Sequence, residues 1–199
     1  VITDVWTEYN SPYFHGGDTI KDPEYFKYFK KTIKGARILN VTRRAKNILI
    51  HLSNSHTILI HMKMTGHVMY GNYNRKDPFS RFIRFIITLS NGKTMELCDT
   101  RKFAKVTLLP TPTMHETVHL KGIGPEPLEK AFTFSVFKNQ INKKETGKIK
   151  LVLMDQTVIA GIGNIYADES LWRAGIHPET LVKNVKDIKL KELYKAIQS

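Results

Sequence analysis

The chain has 199 residues, of which 41% are hydrophobic, so it is long enough for one large or two small domains and does not resemble a disordered protein. No apolar stretch approaches the roughly 18 residues of a membrane span, and the first residues lack the features of a secretory signal. The formal net charge of +13 favours a polyanionic partner over a merely solvated basic surface. Cys98 is the one cysteine, which excludes an internal disulfide and a cysteine-based zinc site and favours a reducing, cytosolic setting.

A helix is the first element that the sequence predicts. Asp22-Pro23-Glu24 supplies an N-cap, a proline suited to the first helical turn and an acidic residue near the positive end of the helix dipole. Phe26, Phe29 and Ile33 then recur at helical spacing, and Gly35 can end the helix.

Short strands follow this helix. They are rich in Ile, Leu and Val and are predicted at 37–43, 48–52, 57–62, 82–89, 94–98 and 105–109. Ser53-Asn54-Ser55 and Ser90-Asn91-Gly92-Lys93 provide turns between neighbouring strands, and Pro110 ends the last one. Several short strands joined by turns indicate an antiparallel sandwich or barrel.

The second half of the chain is predicted to be helical. Residues 120–127 are too rich in Gly and Pro for a regular element and indicate a linker. Helices are predicted at 133–141, 148–155 and 165–174, and a fourth contains Leu190 and Leu193. We therefore expect an α+β protein with a β-sandwich or barrel at 1–112, a linker at 113–130 and a helical domain at 131–199.

A glycine-containing turn between two predicted helices is the most specific local pattern. Gly161 and Gly163 permit a tight turn, and Asn164 stands where an N-cap belongs. The free N–H groups of a helix N-terminus can hold a phosphate, although the glycines can equally serve only the turn and the asparagine only the cap. The pattern lacks the third glycine and the preceding strand of a dinucleotide-binding fingerprint.

Five segments together resemble the formamidopyrimidine-DNA glycosylase and endonuclease VIII superfamily, and its formamidopyrimidine branch in particular. They occur in the family's order and are 43–46 (RRAK), 61–66 (HMKMTG), 99–103 (DTRKF), 124–127 (GPEP) and 160–178, which includes NIYA. The resemblance implies that 1–112 belongs to a glycosylase N-terminal domain and that 131–199 is a helix–two-turn–helix DNA-binding domain. It covers most of the chain.

The resemblance implies that Met64, Arg101 and Phe103 fill the gap that a flipped nucleotide leaves in duplex DNA. Their chemistry suits this role, because an unbranched apolar chain can enter the gap, an arginine can bond the orphaned base and a phenylalanine can wedge between base pairs. Taken singly, each side chain has an ordinary structural alternative, such as core filling for Met64.

Three further residues are implied to serve catalysis or phosphate binding. Lys46 falls in the catalytic cleft with a supporting role, while Lys150 and Asn164 fall where the family binds phosphate. Without the resemblance, both lysines would be read as solvated charges. His61 alternates with apolar neighbours and is expected to be a hydrogen-bonded core histidine rather than a ligand, so we assign no metal site.

The chain departs from the family at both ends. The resemblance implies an N-terminal proline amine as nucleophile with a glutamate beside it, and a C-terminal four-cysteine zinc finger, but the chain begins with Val1 and has one cysteine. We therefore expect both domains to be incomplete at the outer ends, with zinc only in a complete family member. A partial gene or trimmed expression product is the simplest explanation, and a natural homologue without a nucleophile is the alternative.

The expected function is base-excision repair by a bifunctional glycosylase and abasic-site lyase that removes oxidised purines, formamidopyrimidine and 8-oxoguanine, from duplex DNA. We expect the 199 residues to bind damaged or abasic duplex DNA without catalysis, as a monomer, away from membranes and in the bacterial cytosol or nucleoid. The alternatives are a non-catalytic DNA-binding paralogue and a ribosomal-type RNA-binding protein.

Overall fold

The structure, a computed structural model, describes residues 1–9, 17–72, 76 and 78–199. The chain forms two compact units, Val1–His119 and Leu120–Ser199. The first contains the strands and the second contains most of the helices, so the expected α+β architecture is confirmed.

The described residues of the first unit form one α-helix and eight strands. The helix is α1 (Pro23–Ile33), and the strands are β1 (Ile2–Thr7), β2 (Ile38–Arg44), β3 (Asn47–Leu52), β4 (His56–His61), β5 (Gly66–Gly71), β6 (Ile83–Leu89), β7 (Thr94–Asp99) and β8 (Lys105–Pro110). Short 3-10 helices lie at Ser80–Phe82 and Thr111–Glu116. The six predicted strands are all present with ends shifted by no more than one residue.

Two four-stranded antiparallel sheets share one hydrophobic core in this unit. Their strand orders are β1-β6-β7-β5 and β2-β3-β4-β8. The core takes side chains from both sheets and from α1, among them Phe85, Leu97, Ile58, Val106 and Phe29. This arrangement is a sandwich, which decides between the two architectures that the strand pattern left open.

The cap of α1 is formed as the sequence predicts. The Asp22 carboxylate accepts hydrogen bonds from the backbone N–H groups of Glu24 and Tyr25, at 2.8 and 3.0 Å. The buried side chains of Phe29 and Ile33 face the core. Gly35 follows the helix with φ +85°, a conformation that glycine adopts without strain.

The second unit contains four helices. They are α2 (Phe134–Asn142), α3 (Ile149–Met154), α4 (Asn164–Ala174) and α5 (Asp187–Gln198), with a 3-10 helix at Val182–Asn184. Their core includes Phe137, Leu153, Ile159, Leu171 and Leu193. Gly175 ends α4 in the left-handed conformation, at φ +60°, as a C-terminal glycine commonly does. Among the described residues, no helix is both long enough and apolar enough to span a membrane.

Candidate nucleic-acid interface

A tight turn between β4 and β5 presents Met64 to solvent. The Gly66 N–H donates to the Met62 carbonyl at 3.0 Å and closes the turn, while Lys63 takes a positive φ of 56°. The Met64 side chain is 74% exposed. The alternative of core filling is therefore wrong for this methionine, whose side chain is accessible to a ligand.

The loop between β7 and β8 presents Arg101 and Phe103. The Asp99 carboxylate accepts hydrogen bonds from the N–H groups of Arg101 at 3.2 Å and Ala104 at 2.7 Å, which bends the chain into a compact loop. Lys102 lies in the left-handed region at φ 57°. Arg101 and Phe103 are both exposed, Phe103 to 47%.

Arg101 contacts both Met64, which lies in the other turn, and Phe103, which lies in its own loop. The Arg101 guanidinium carbon lies 4.4 Å from the centre of the Phe103 ring, in a cation–π arrangement. The Nη1 atom of Arg101 lies 3.3 Å from the Met64 sulfur, across 37 positions of sequence. We call these three side chains the contact cluster. They form an exposed group with one cationic and two apolar members.

Lys46 lies on a different turn, the hairpin between β2 and β3. Arg44 pairs with Asn47, so Ala45 and Lys46 form a two-residue turn in which Ala45 takes φ +51°. Desolvation lowers the pKa of Lys46, although the residue as a whole is exposed. A lysine with a lowered pKa gives up a proton more readily than an ordinary surface lysine.

His61 is half-buried beside two lysines rather than enclosed in the core. Burial, together with the charges of Lys63 and Lys46, lowers its pKa to about 4. The ring is therefore neutral near pH 7. Its Nδ1 accepts the Lys63 N–H at 3.0 Å, which leaves the proton on Nε2. The interpretation of His61 as a simple core residue missed this neutral donor in a cationic setting.

Lys21 also supports the Arg101 loop. Its ammonium donates to the Lys102 carbonyl at 2.7 Å and lies 5.2 Å from the Tyr9 ring centre. Burial lowers the pKa of Lys21, Asp99 acts in the opposite direction, and Lys63 lowers it further. The surroundings of the contact cluster are thus strongly cationic, which suits a phosphate backbone.

In the second unit, α4 begins without a side-chain cap from any described residue. The cap position is occupied by Gly163, in an extended conformation, so the predicted capping role of Asn164 is wrong. Asn164 is the first helical residue because the bend occurs earlier, at Gly161 with φ +85°. Asn164 and its neighbours Ile165 and Tyr166 are exposed, so the positive end of the helix is accessible.

The Gln156 side chain holds the loop that leads to α4. Its Nε2 donates to the carbonyls of Met154 at 2.9 Å and Ile162 at 2.8 Å, and its Oε1 accepts the Gly161 N–H at 2.9 Å. One amide thus joins the end of α3 to the residues just before α4. This fixes the direction in which α4 presents its N-terminus.

We expect Gln156→Leu to lower the free energy of unfolding by about 1–3 kcal/mol, because three backbone groups lose a partner that water cannot fully replace. The control is Gln140→Leu, since the Gln140 side chain bonds the exposed Lys143 ammonium and its loss should cost under about 0.5 kcal/mol. Urea unfolding measures both variants. Equal losses in the two would contradict the structural role of Gln156.

Lys150 on α3 lies beside the first turns of α4. Its ammonium is 2.8 Å from Oδ1 and 2.9 Å from Oδ2 of Asp168. Asp168 follows Asn164 by four positions, so both lie on one face of the helix. The structure therefore brings Lys150 and the start of α4 into one region of this unit, with the lysine paired to a carboxylate.

The described residues do not contain a group of three or more His, Cys, Asp or Glu side chains that could hold a metal ion. Cys98 is buried on β7. A four-cysteine zinc site therefore has no match among the described side chains.

Two family models match the chain, one for each unit. The Formamidopyrimidine-DNA glycosylase N-terminal domain matches residues 13–106, and the Formamidopyrimidine-DNA glycosylase H2TH domain matches residues 123–199. The first match falls on the sandwich, which presents the contact cluster. The second falls on the helical unit, in which α4 begins without a side-chain cap from any described residue. The chain belongs to the formamidopyrimidine-DNA glycosylase family.

Curated relatives and solved structures agree with this assignment. The formamidopyrimidine-DNA glycosylase of Pelotomaculum thermopropionicum is 41% identical over 179 residues, which are 90% of this chain and 63% of that protein. The protein of the same name from Herpetosiphon aurantiacus is 36% identical over 92% of this chain and 66% of its own length. The chain thus spans less than two thirds of these relatives. The Lactococcus lactis formamidopyrimidine-DNA glycosylase, solved non-covalently bound to DNA containing an abasic site, has a TM-score of 0.83 and 27% identity, covering 99% of this chain and 71% of that one.

Proposed function

We propose that the complete protein is a bifunctional DNA glycosylase and abasic-site lyase that removes oxidised purines, formamidopyrimidine and 8-oxoguanine, from duplex DNA. We also propose that the residues described here bind duplex DNA that contains a damaged base or an abasic site. The observation that carries the proposal is the contact cluster, since exposed apolar side chains in a cationic surface need a partner with both charge and an apolar gap.

An extruded nucleotide leaves a gap between stacked base pairs, and the cluster can fill it. Met64 enters the gap, because its unbranched chain is exposed and has no fixed packing partner in the core. Arg101 hydrogen-bonds the orphaned base, and Phe103 wedges against the neighbouring pair. The cation–π contact between them keeps the guanidinium and the ring in one orientation before DNA arrives.

Phosphate contacts are proposed for Lys150 and Asn164, and a supporting catalytic role is proposed for Lys46. The uncapped start of α4 offers N–H groups and the positive end of a helix dipole to a phosphate, with Asn164 as the first side chain there. Lys150 would exchange its Asp168 partner for a phosphate or share it. The lowered pKa of Lys46 fits a supporting proton donor near the sugar.

The remaining proposals follow from this function. The division of the chain into a glycosylase N-terminal domain at 1–112, a linker at 113–130 and a helix–two-turn–helix domain at 131–199 is retained as a proposal. Zinc in a complete family member would need ligands other than the side chains described here. Because duplex DNA is the proposed substrate and the relatives are bacterial, we propose that the protein acts in the bacterial cytosol or nucleoid. We also propose that it is a monomer.

A competition gel shift tests the proposal. The labelled probe is a duplex with a tetrahydrofuran abasic analogue, which binds without requiring chemistry, and the competitors are the unlabelled probe, an undamaged duplex and a structured RNA. We define the damage preference as the ratio of the Kd for undamaged duplex to the Kd for the tetrahydrofuran duplex at fixed salt. We expect the unlabelled probe to compete at least about tenfold better than either other competitor, equivalent to about 1.4 kcal/mol. Better competition by the RNA would support an RNA-binding protein and overturn the proposal.

A further inference from the structure

Asp99 lies at the end of β7 and buries its carboxylate completely. Four donors surround it. Oδ1 accepts from the Thr65 hydroxyl at 2.5 Å and the Arg101 N–H at 3.2 Å, and Oδ2 accepts from the Ala104 N–H at 2.7 Å and the Tyr9 hydroxyl at 3.0 Å. An ionised carboxylate is costly to bury unless it is hydrogen-bonded in this way.

Three of these four donors belong to the turns that carry the contact cluster. Thr65 directly follows Met64, while the N–H groups of Arg101 and Ala104 stand on either side of Phe103. The Thr65 hydroxyl also accepts the Arg101 N–H at 3.3 Å, which closes the link between the two turns. One carboxylate therefore ties together two segments that lie more than thirty positions apart in sequence.

The cluster side chains do not anchor these turns in the core, because they point outward. Met64 and Phe103 are 74% and 47% exposed, so core packing does not set their positions. Burial raises the pKa of Asp99, but the bonds from Thr65, Ala104, Tyr9 and Arg101 outweigh burial and hold this pKa below its usual range. The carboxylate is thus kept in the form that accepts from all four donors.

We propose that Asp99 is a positioning residue for damage recognition, which holds the Met64 turn and the Arg101–Phe103 loop in the register that lets the contact cluster enter a gap in duplex DNA. The inference rests on the proposed function and adds to it a residue that does not touch DNA.

Asp99→Asn is the first test. Asparagine has nearly the same size as aspartate, but its NH₂ group cannot accept hydrogen bonds from the donors around this position. Its matched control is Glu96→Gln on the same strand, since Glu96 is also a buried carboxylate but bonds the neighbouring Thr94 hydroxyl instead of the cluster turns. We expect Asp99→Asn to lower the damage preference about fivefold or more, because recognition sites lose function when their supporting contacts loosen. Glu96→Gln should leave the damage preference unchanged. Affinity for undamaged duplex should change less than about twofold in both, as the phosphate charges remain.

If a thermal melt shows that Asp99→Asn does not fold, Thr65→Val tests the positioning role instead. The valine has nearly the same shape but removes the bond between the Met64 turn and Asp99, and the damage preference should fall while undamaged binding persists. A damage preference that is retained in every folded variant, or lowered equally by Glu96→Gln, would overturn the positioning role. Absence of any damage preference in the unmodified protein would instead overturn the proposed function itself.

Discussion

Replacing Gly66 by alanine is expected to remove most of the damage preference and to destabilise the first unit. A Cβ at this position would lie 2.5 Å from the Met62 carbonyl oxygen and 3.0 Å from the Met62 Cα, distances that no rotamer change can relieve because both atoms are backbone. The turn must open, and the hydrogen bond from the Gly66 N–H to the Met62 carbonyl must lengthen or break. Such overpacking costs about 1–3 kcal/mol of folding free energy.

The opening of this turn moves Met64 and also Thr65, which bonds Asp99, so the whole contact cluster loses its register. Gly71→Ala is the control, because Gly71 ends the same strand and a Cβ there would meet none of the described atoms within 4 Å. Urea unfolding and the gel shift together check the expectation. A Gly66→Ala protein with unchanged stability and damage preference would contradict the view that this turn sets the position of Met64.

The local elements of the fold could be predicted because each has its signals next to it in sequence. Asp22-Pro23-Glu24 marks the start of α1, and Ser90-Asn91-Gly92-Lys93 marks a hairpin whose strands pair as expected. β5 was missed for a physical reason. Within the described part of the chain it pairs only with β7, at the edge of its sheet, and its residues are half-buried apart from the exposed Tyr70, so they do not alternate between buried and exposed. Edge strands of this kind lack the period-two pattern that identifies a strand.

The sequence can indicate which residues belong to the candidate site, but it does not show how their side chains are arranged in space. Met64, Arg101 and Phe103 were singled out from motifs, whereas the contact of Met64 with Arg101 depends on how two sheets bring distant turns together. The role of Asp99 was missed for the same reason, although an aspartate two positions before a loop residue is a recognised turn signal. Asn164 was misassigned as a cap because local spacing does not show where the first helical hydrogen bond begins.

We expect a triple variant of the contact cluster to have a damage preference of about one. It carries Met64→Ala, Arg101→Ala and Phe103→Ala. Burying an exposed Met or Phe side chain contributes about 1.5–3 kcal/mol before ordering costs, so the loss should be tenfold or greater. Affinity for undamaged duplex should fall only modestly, because the variant loses one positive charge and keeps the residues proposed to bind phosphate.

The control variant carries Leu39→Ala, Tyr70→Ala and Lys93→Ala. These residues also comprise an exposed aliphatic chain, an exposed aromatic ring and a cation, and the Lys93 ammonium lies 5.2 Å from the Tyr70 ring centre. They lie outside the contact cluster, so their loss should reduce general DNA affinity through one charge and leave the damage preference intact.

The measurement that tests the central claim most directly is the gel-shift titration of the unmodified protein and these two variants with tetrahydrofuran and undamaged duplexes at one salt concentration. The gap-filling role of the contact cluster predicts a damage preference of at least about tenfold in the unmodified protein and the control variant, and of about one in the cluster variant. Equal binding of both duplexes by the unmodified protein, or a preference that survives loss of the cluster, would contradict it.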